Sequence, residues 1–349
     1  VSKTLVRKSK KRISIKINRK YLTKQSGTSC FLLLNWKGEF MYTTISTKNM
    51  SQEEWLDLRK TGIGGSDAGA VCGLNPYVSS IEVYLNKIGE TPETEDNEAM
   101  RQGRDMEDYV ARRFSEKTGL KVRRSHQLYR SEEHPFMIAD VDRMVVGEDA
   151  GLECKTVSAY GADKWKDGQI PVHYLLQCLH YMAVTGKKTW YIAAVILGVD
   201  FQYRKIEWED EVISKLIEVE QRFWEEFVCS GHMPEPDGTE ACSEVLTKYF
   251  NKAKKGTAIP LIGFDERLNR RESILQQIEC LETEKRQIEQ EVRCYLQENE
   301  TAFNENYRVS WSNVETNRLD TKQMKEEHPD LYQKFLKKTV SRRLQIKAA

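Results

Sequence analysis

The strongest constraint in this 349-residue chain is an aspartate, Asp142, followed eleven residues later by Glu153 and then, two positions on, by Lys155. The stretch Gly151-Leu152-Glu153-Cys154-Lys155-Thr156-Val157 reads as a β-strand. Strand side chains repeat with period two, so Glu153 and Lys155 share one face. Upstream, Phe136 to Val141 is an apolar run that ends at Asp142. Between the two, Val145 to Gly151 carries two glycines and two acids and reads as a tight connection. A hairpin of that size brings Asp142 beside Glu153. An acid and a base on one face make either a surface ion pair or half of a metal site. Two carboxylates on one rim suit a hard cation such as Mg²⁺, with the lysine placed to orient water.

Composition removes several alternatives. No apolar run approaches the length needed to span a bilayer; Phe31-Leu32-Leu33-Leu34 is far too short. The eight cysteines show no CxxC pair and no regular spacing, so they read as reduced cytosolic thiols rather than a disulfide framework or a zinc or iron–sulfur site. The net charge of +1 is unevenly spread: residues 1–24 carry ten Lys/Arg and no acid. The rest of the chain is net acidic, so any nucleic-acid surface there must concentrate its positive charge in one groove. Residues 1–45 form a basic leader with three readings: a disordered arm that touches DNA, a targeting segment, or an extension outside the working protein. The last is preferred.

Ser51 opens a helix with Glu54 three residues on, a capping box. The glycine-rich stretch Thr61 to Tyr77 then runs into a short helix that Ser66 can cap. Free N–H groups at such a helix start form an anion site, and Arg59 just before it offers a guanidinium fork for phosphate. A tight turn with close packing is the competing reading, and Asp67 opposes an anion unless it serves as the cap. A helix over Asn97–Gly119 sets Met100, Gly103, Glu107, Val110 and Phe114 on one face. Glu107 in an apolar stripe needs a partner, either a metal site or Arg104 or Arg112. Strands are expected over Leu120–Tyr129 and Pro135–Val146. Beyond the Glu153 strand comes a polar crossover, Tyr160 to Gln169. On the helix that follows, Val172 to Thr185, a polar stripe of His173, Gln177, His180 and Tyr181 faces either a substrate or solvent. A strand pair over 189–208 and an amphipathic helix over 209–231 complete an α/β core spanning 46–240. From 241 to 349 the pattern is helical: a short helix over Leu246–Lys255, a long charged one over Asp265–Asn299 with a broken apolar seam, a strand at Tyr307–Trp311, and a basic end that either meets phosphates or is simply solvated.

Several of these pieces, in this order, resemble the YqaJ-type viral recombinases, relatives of the phage lambda exonuclease within the PD-(D/E)xK nuclease superfamily. The matching residues are Arg59 with Gly64-Gly65-Ser66-Asp67, Gly73-Leu74-Asn75-Pro76-Tyr77, Gly103-Arg104-Asp105-Met106-Glu107, Asp142 with Glu153-Cys154-Lys155, and Gln177. The resemblance covers about residues 51 to 230. It implies a restriction-endonuclease-like core, a central mixed β-sheet flanked by helices, with a C-terminal helical extension.

The same resemblance implies the roles of the site. Asp142, Glu153 and the Cys154 carbonyl would bind Mg²⁺ or Mn²⁺, two ions, with Glu107 supporting them. Lys155 would position the attacking water, and Gln177 would stand close by. Arg59 and Ser66 would hold a 5′-phosphate. The implied activity is 5′-to-3′ digestion of linear double-stranded DNA in the cytoplasm of a bacterial or phage-infected cell. The resulting 3′ overhang passes to a single-strand annealing protein, and a ring-shaped trimer is the implied assembly. One departure is Arg143, where many members have glycine; Asp140 nearby is an alternative to Asp142 as the ligand. A structure-selective endonuclease on the same fold, or a module that only binds DNA ends, are the other readings.

Overall fold

The computed structural model describes residues 42–92, 97–338 and 341–347. The basic leader lies, up to residue 41, outside them. The chain divides into two compact units that meet between Asn251 and Lys252.

The first unit begins with β1 (Tyr42–Ser46), α1 (Gln52–Lys60), α2 (Gly65–Val71), α3 (Ser80–Ile88) and α4 (Glu98–Thr118). Strands β2 (Val122–Arg124), β3 (Gln127–Ser131), β4 (Ile138–Asp140), β5 (Arg143–Val145) and β6 (Ala150–Val157) follow. After 3-10 turns over Ala159–Gly168 come α5 (Val172–Thr185), β7 (Thr189–Ile196), β8 (Asp200–Glu207), α6 (Asp210–Phe223) with a π-helical continuation to Cys229, and α7 (Glu240–Tyr249). The Ser51 cap and the glycine stops lie where the sequence places them. Ser51 and Glu54 form the reciprocal capping box of α1, with bonds of 3.2 and 2.8 Å. Asn97 starts α4, and left-handed glycines at 89, 119 and 186 end α3, α4 and α5.

Five strands make the central mixed sheet, in the order β2-β5-β6-β7-β8. Only β6 and β7 run parallel; the other pairs are antiparallel. Strand β7 is buried nearly throughout, as its continuous apolar run Trp-Tyr-Ile-Ala-Ala-Val-Ile requires. One sheet face packs Leu152, Tyr191, Ala193 and Val195 against Val110 and Phe114 of α4. The other packs Trp190, Ile192 and Ala194 against Leu175, Leu179 and Met182 of α5. Gly151 is required here, because a Cβ would strike the indole of Trp190; overpacking of that kind costs roughly 1–3 kcal/mol. A second, three-stranded sheet has the order β1-β3-β4. Tyr42–Ser46 therefore pairs along β3 although it overlaps the expected leader.

The two strands expected over 120–129 and 135–146 are each broken in two. The halves β2 and β5 join the central sheet, while β3 and β4 join the other. One break is at His126, with a left-handed φ of 49°. The other is at Val141-Asp142, between β4 and β5. Two neighbouring ribbons thus change sheet together, which leaves Asp142 on an unpaired stretch at the edge of β6. The helix expected over 246–255 forms earlier, as α7, because Thr239 caps it by accepting the Cys242 N–H at 3.1 Å and Cys242 and Val245 are buried beside α3.

The second unit holds α8 (Asp265–Leu296), a hairpin of β9 (Thr301–Phe303) with β10 (Arg308–Ser310), α9 (Thr321–Glu327) and α10 (Pro329–Phe335). The sequence reading places the β10 strand but lacks its partner β9. Among the described residues no helix is long and apolar enough to cross a membrane, and seven cysteines are free thiols.

Candidate active site

Asp142 reaches across the edge of β6, where its Oδ2 accepts the Cys154 N–H at 2.7 Å. It can do so because β5 stops at Arg143, paired with Leu152, and leaves the edge of β6 beyond that point open. The N–H and C=O of one strand residue point the same way, so the Cys154 carbonyl faces the same opening. The Cys154 side chain turns to the α4 face, and Glu153 and Lys155 turn to the α5 face, as the alternation requires.

Glu153 is 2 % exposed. Its Oε1 accepts from Lys155 Nζ at 2.6 Å and from Gln177 Nε2 at 2.7 Å. Gln177 Oε1 in turn accepts from Lys155 Nζ at 2.9 Å, and its amide also donates to Tyr181 Oη at 2.8 Å. One helical side chain thus ties acid and base together. Glu153 Oε2, by contrast, is buried and accepts no hydrogen bond. Its neighbour is the Asp142 carboxyl, close enough for the two to share a proton in a hydrogen bond.

The electrostatics follow from that arrangement. Burial, then Glu153 and Glu107, push the Asp142 carboxyl well above the usual range. Burial also raises Glu153, against the pull of Lys155. Burial opposes the Lys155 charge, but Glu153 and Asp142 outweigh it and hold its pKa above the ordinary lysine value. Lys155, held by Glu153 and Gln177, is placed to orient water and stabilise negative charge. Burial lifts the Cys154 and Cys178 thiols far above the usual value, so neither is a nucleophile.

Glu107 does come to this edge, where a residue outside α4 meets it. Arg143 binds it closely, donates to Asp108 at 2.6 Å, and closes onto the Asp142 carbonyl at 2.6 Å. The residue that departs from the family pattern is thus a buried clamp from the β4–β5 gap to α4. Asp140 is occupied elsewhere, accepting Trp55 Nε1 at 2.9 Å.

The fit to a divalent ion can be judged on these atoms. Among the described residues no three His, Cys, Asp or Glu side chains converge to hold an ion unaided. The Asp142 and Glu153 carboxyls do converge at the open edge of β6, close enough to share a proton whose place a cation can take. Mg²⁺ keeps several waters and takes only one or two protein carboxylates, so this donor set suits it.

The second cluster lies at the start of α2. Arg59 Nη2 donates to Ser66 Oγ at 2.7 Å, which joins the two residues expected to hold a phosphate. Ser66 is not the cap. Gly64 is the N-cap, and Asp67 closes the turn by accepting the Gly64 N–H at 2.9 Å. Asp67 also lies 3.7 Å from Arg59 and receives Lys87 Nζ at 2.6 Å. Burial opposes ionisation of Asp67, yet Lys87 and Arg59 keep its pKa below the usual value. Lys87 and Arg59 thus share the Asp67 carboxylate. The sequence reading passed over Lys87, although its place on the apolar stripe of α3, four residues after Val83, is the signal that singled out Glu107.

His180 is not solvent-exposed. It is fully buried, with Nδ1 at 2.9 Å from both Glu220 oxygens and Nε2 at 2.9 Å from the Ile138 carbonyl. It joins α5, α6 and β4.

Residues 54–188 match the YqaJ-like viral recombinase domain. The YqaJ protein of Bacillus subtilis (strain 168) is 39 % identical over 302 residues, covering 85 % of this chain and 95 % of that protein. Among solved structures, an alkaline exonuclease from Laribacter hongkongensis is 20 % identical with a TM-score of 0.44, over 51 % of this chain and 94 % of that one. A phage-related exonuclease from Haemophilus somnus is 13 % identical with a TM-score of 0.37, over 51 % and 99 %. This chain belongs to the YqaJ-like viral recombinase family.

Proposed function

We propose that the protein is a divalent-metal-dependent exonuclease that digests one strand of linear double-stranded DNA from its 5′ end. One observation carries the reading. The buried Asp142 and Glu153 carboxyls are brought together at the open edge of β6, and Lys155 is held against Glu153. Family membership supports DNA as the substrate. Asp142, Glu153 and the Cys154 carbonyl would hold Mg²⁺ or Mn²⁺ at the edge of β6, with Glu107 beside them. The chemistry a bound ion supplies is Lewis-acid charge at the scissile phosphate and easier deprotonation of water. Lys155, fixed by Gln177 and Glu153, orients that water and offsets charge growing on the phosphate. Arg59 and Ser66 receive the 5′-phosphate, and the Lys87–Asp67 pair keeps Arg59 in place. That anchor favours exonuclease over endonuclease action, since it fixes an end rather than a continuous strand. The product, a 3′ overhang, would pass to a single-strand annealing protein, and a ring trimer would enclose the duplex.

The test is a linear duplex with a 5′-phosphate, labelled on each strand in turn, beside a covalently closed plasmid, both with Mg²⁺. Glu153→Gln serves as control. Stepwise loss of the 5′-ended strand with the circle intact is expected. Cutting of the circle would show an endonuclease instead, and binding of ends without cutting would show a module that only binds.

A further inference from the structure

We propose that Tyr77, with Lys164 at its edge, is a nucleobase-stacking subsite on the rim of the active site, which receives the terminal base of a DNA end. The proposal rests on the nuclease reading for the identity of its ligand. It starts from two stretches that the catalytic assignment leaves unused, Gly73–Tyr77 and the crossover after β6.

The fold brings them together. Gly69 lets α2 approach the start of α5; a Cβ there would lie 2.8 Å from His173 Cβ. The chain then turns at Gly73, with φ +67°, a conformation that glycine adopts at no steric cost. Asn75 Oδ1 accepts the Tyr77 N–H at 2.9 Å and fixes the loop. On the crossover, Trp165 is buried at 1 % exposure and anchors the segment. Its neighbour Lys164 donates from Nζ to Tyr77 Oη at 3.1 Å and lies 5.4 Å from the ring centroid.

A continuous line of contacts runs inward from there. The Tyr77 ring meets His173 edge-on, with centroids 5.7 Å apart. His173 lies 4.1 Å from the Tyr174 ring, and Lys155 Nζ sits 4.7 Å from the centroid of Tyr174. Burial, with Lys155 and Lys164 nearby, pushes the His173 pKa down to about 4, so the rings between the two lysines are uncharged. The line begins at the lysine that handles the scissile phosphate and ends at a tyrosine 63 % exposed, flanked by a second cation. A flat neutral ring beside a positive charge fits a base with its phosphate. Stacking on an aromatic side chain contributes roughly tenfold or more in affinity per base and tolerates any sequence. Among the described residues Tyr77 packs edgewise against one partner ring, so its exposure is that of a single platform rather than a broad apolar patch.

The test uses a duplex end carrying 5-iodouracil at its terminal position, bound to the full chain in EDTA so that no cleavage occurs. Irradiation is expected to join the base to the peptide that contains Tyr77, and Tyr77→Phe to preserve the crosslink. Tyr77→Ala, on an exposed side chain, is expected to abolish it and weaken end binding about tenfold. With Mg²⁺ present, the same variant should raise KM with kcat unchanged. Wild-type crosslinking at other peptides, with unaltered affinity and KM in Tyr77→Ala, would overturn the subsite while leaving the nuclease reading standing. A Tyr77 crosslink in a protein that cuts no DNA would retain the subsite and sink the nuclease reading.

Discussion

Two buried carboxylates flank α5 less than one turn apart, and they are built in opposite ways. Glu220 meets His180, and both its oxygens lie 2.9 Å from the same ring nitrogen. The other ring nitrogen faces only the Ile138 carbonyl and so must carry a proton. The pair is closed, since every polar atom has a partner. Glu153 meets Lys155 and Gln177 through one oxygen only, and its second oxygen faces another carboxylate. Both arrangements bury charge, which by itself is weak evidence for a stabilising role. What separates them is the remaining acceptor. A closed pair holds elements together, whereas an open one leaves room for something that the protein does not supply.

Substitution should split the two regions. Removing the Glu220 carboxylate by Glu220→Ala leaves His180 buried without its counter-charge. This is expected to cost about 3–5 kcal/mol of stability, read by denaturant unfolding, while cleavage per folded molecule stays near wild type. At the open site the effects should reverse. Glu153→Gln keeps an acceptor for Lys155 and Gln177 and turns an amide N–H toward Asp142. Cleavage should fall about a hundredfold to a thousandfold or more, while metal-free stability should match or exceed that of the wild type. If Glu153→Gln unfolded as readily as Glu220→Ala, the open site would be a structural pair and the contrast would collapse.

The contrast was only half legible in the sequence. Asp142, Glu153 and Lys155 were readable because their geometry is local: a short connection sets one distance and strand alternation sets the other. Glu107 was readable as an acid within an apolar helix stripe, whereas Gln177 stood on a polar stripe and joined the site only through the family resemblance. His180 and Glu220 lie forty residues apart on two helices, and neither spacing nor periodicity couples them. His180 thus looked like one more residue of a polar stripe. The sheet exchange at His126 and Val141-Asp142 was hidden for a similar reason. Each ribbon keeps a strand pattern through its break, and only the competing pairings with β1 and β6 decide where it divides. Arg143 illustrates the limit best. In the sequence it is only a departure from a family glycine, yet it is the clamp that carries Glu107.

Divalent ions should act on one region alone. Mg²⁺ at about one hundred times its dissociation constant would stabilise the native state by about 2.7 kcal/mol. The expected outcome is a rise in Tm for the wild type and for Glu220→Ala, and none for Asp142→Asn. An equal rise in Asp142→Asn would move the ion away from the edge of β6.

The smallest effect concerns pH and the closed pair. Burial works against the His180 charge, but Glu220 beside it outweighs burial and raises the pKa above 6.5. For Glu220 burial outweighs His180 and raises the carboxyl as well. His180 holds the proton of the pair, because Nε2 donates to the Ile138 carbonyl and Nδ1 faces a carboxylate. A raised histidine pKa gives stability that is fully present below pH 6.5 and fades as pH rises through the folded value. Unfolding free energy should therefore decline as pH rises above 6.5, by at most about 1.4 kcal/mol per unit, the slope of one proton. In the double variant His180→Leu with Glu220→Leu that decline should vanish. Persistence of the slope in the double variant would assign it to another group and leave the closed pair electrically silent, held by packing and hydrogen bonds alone.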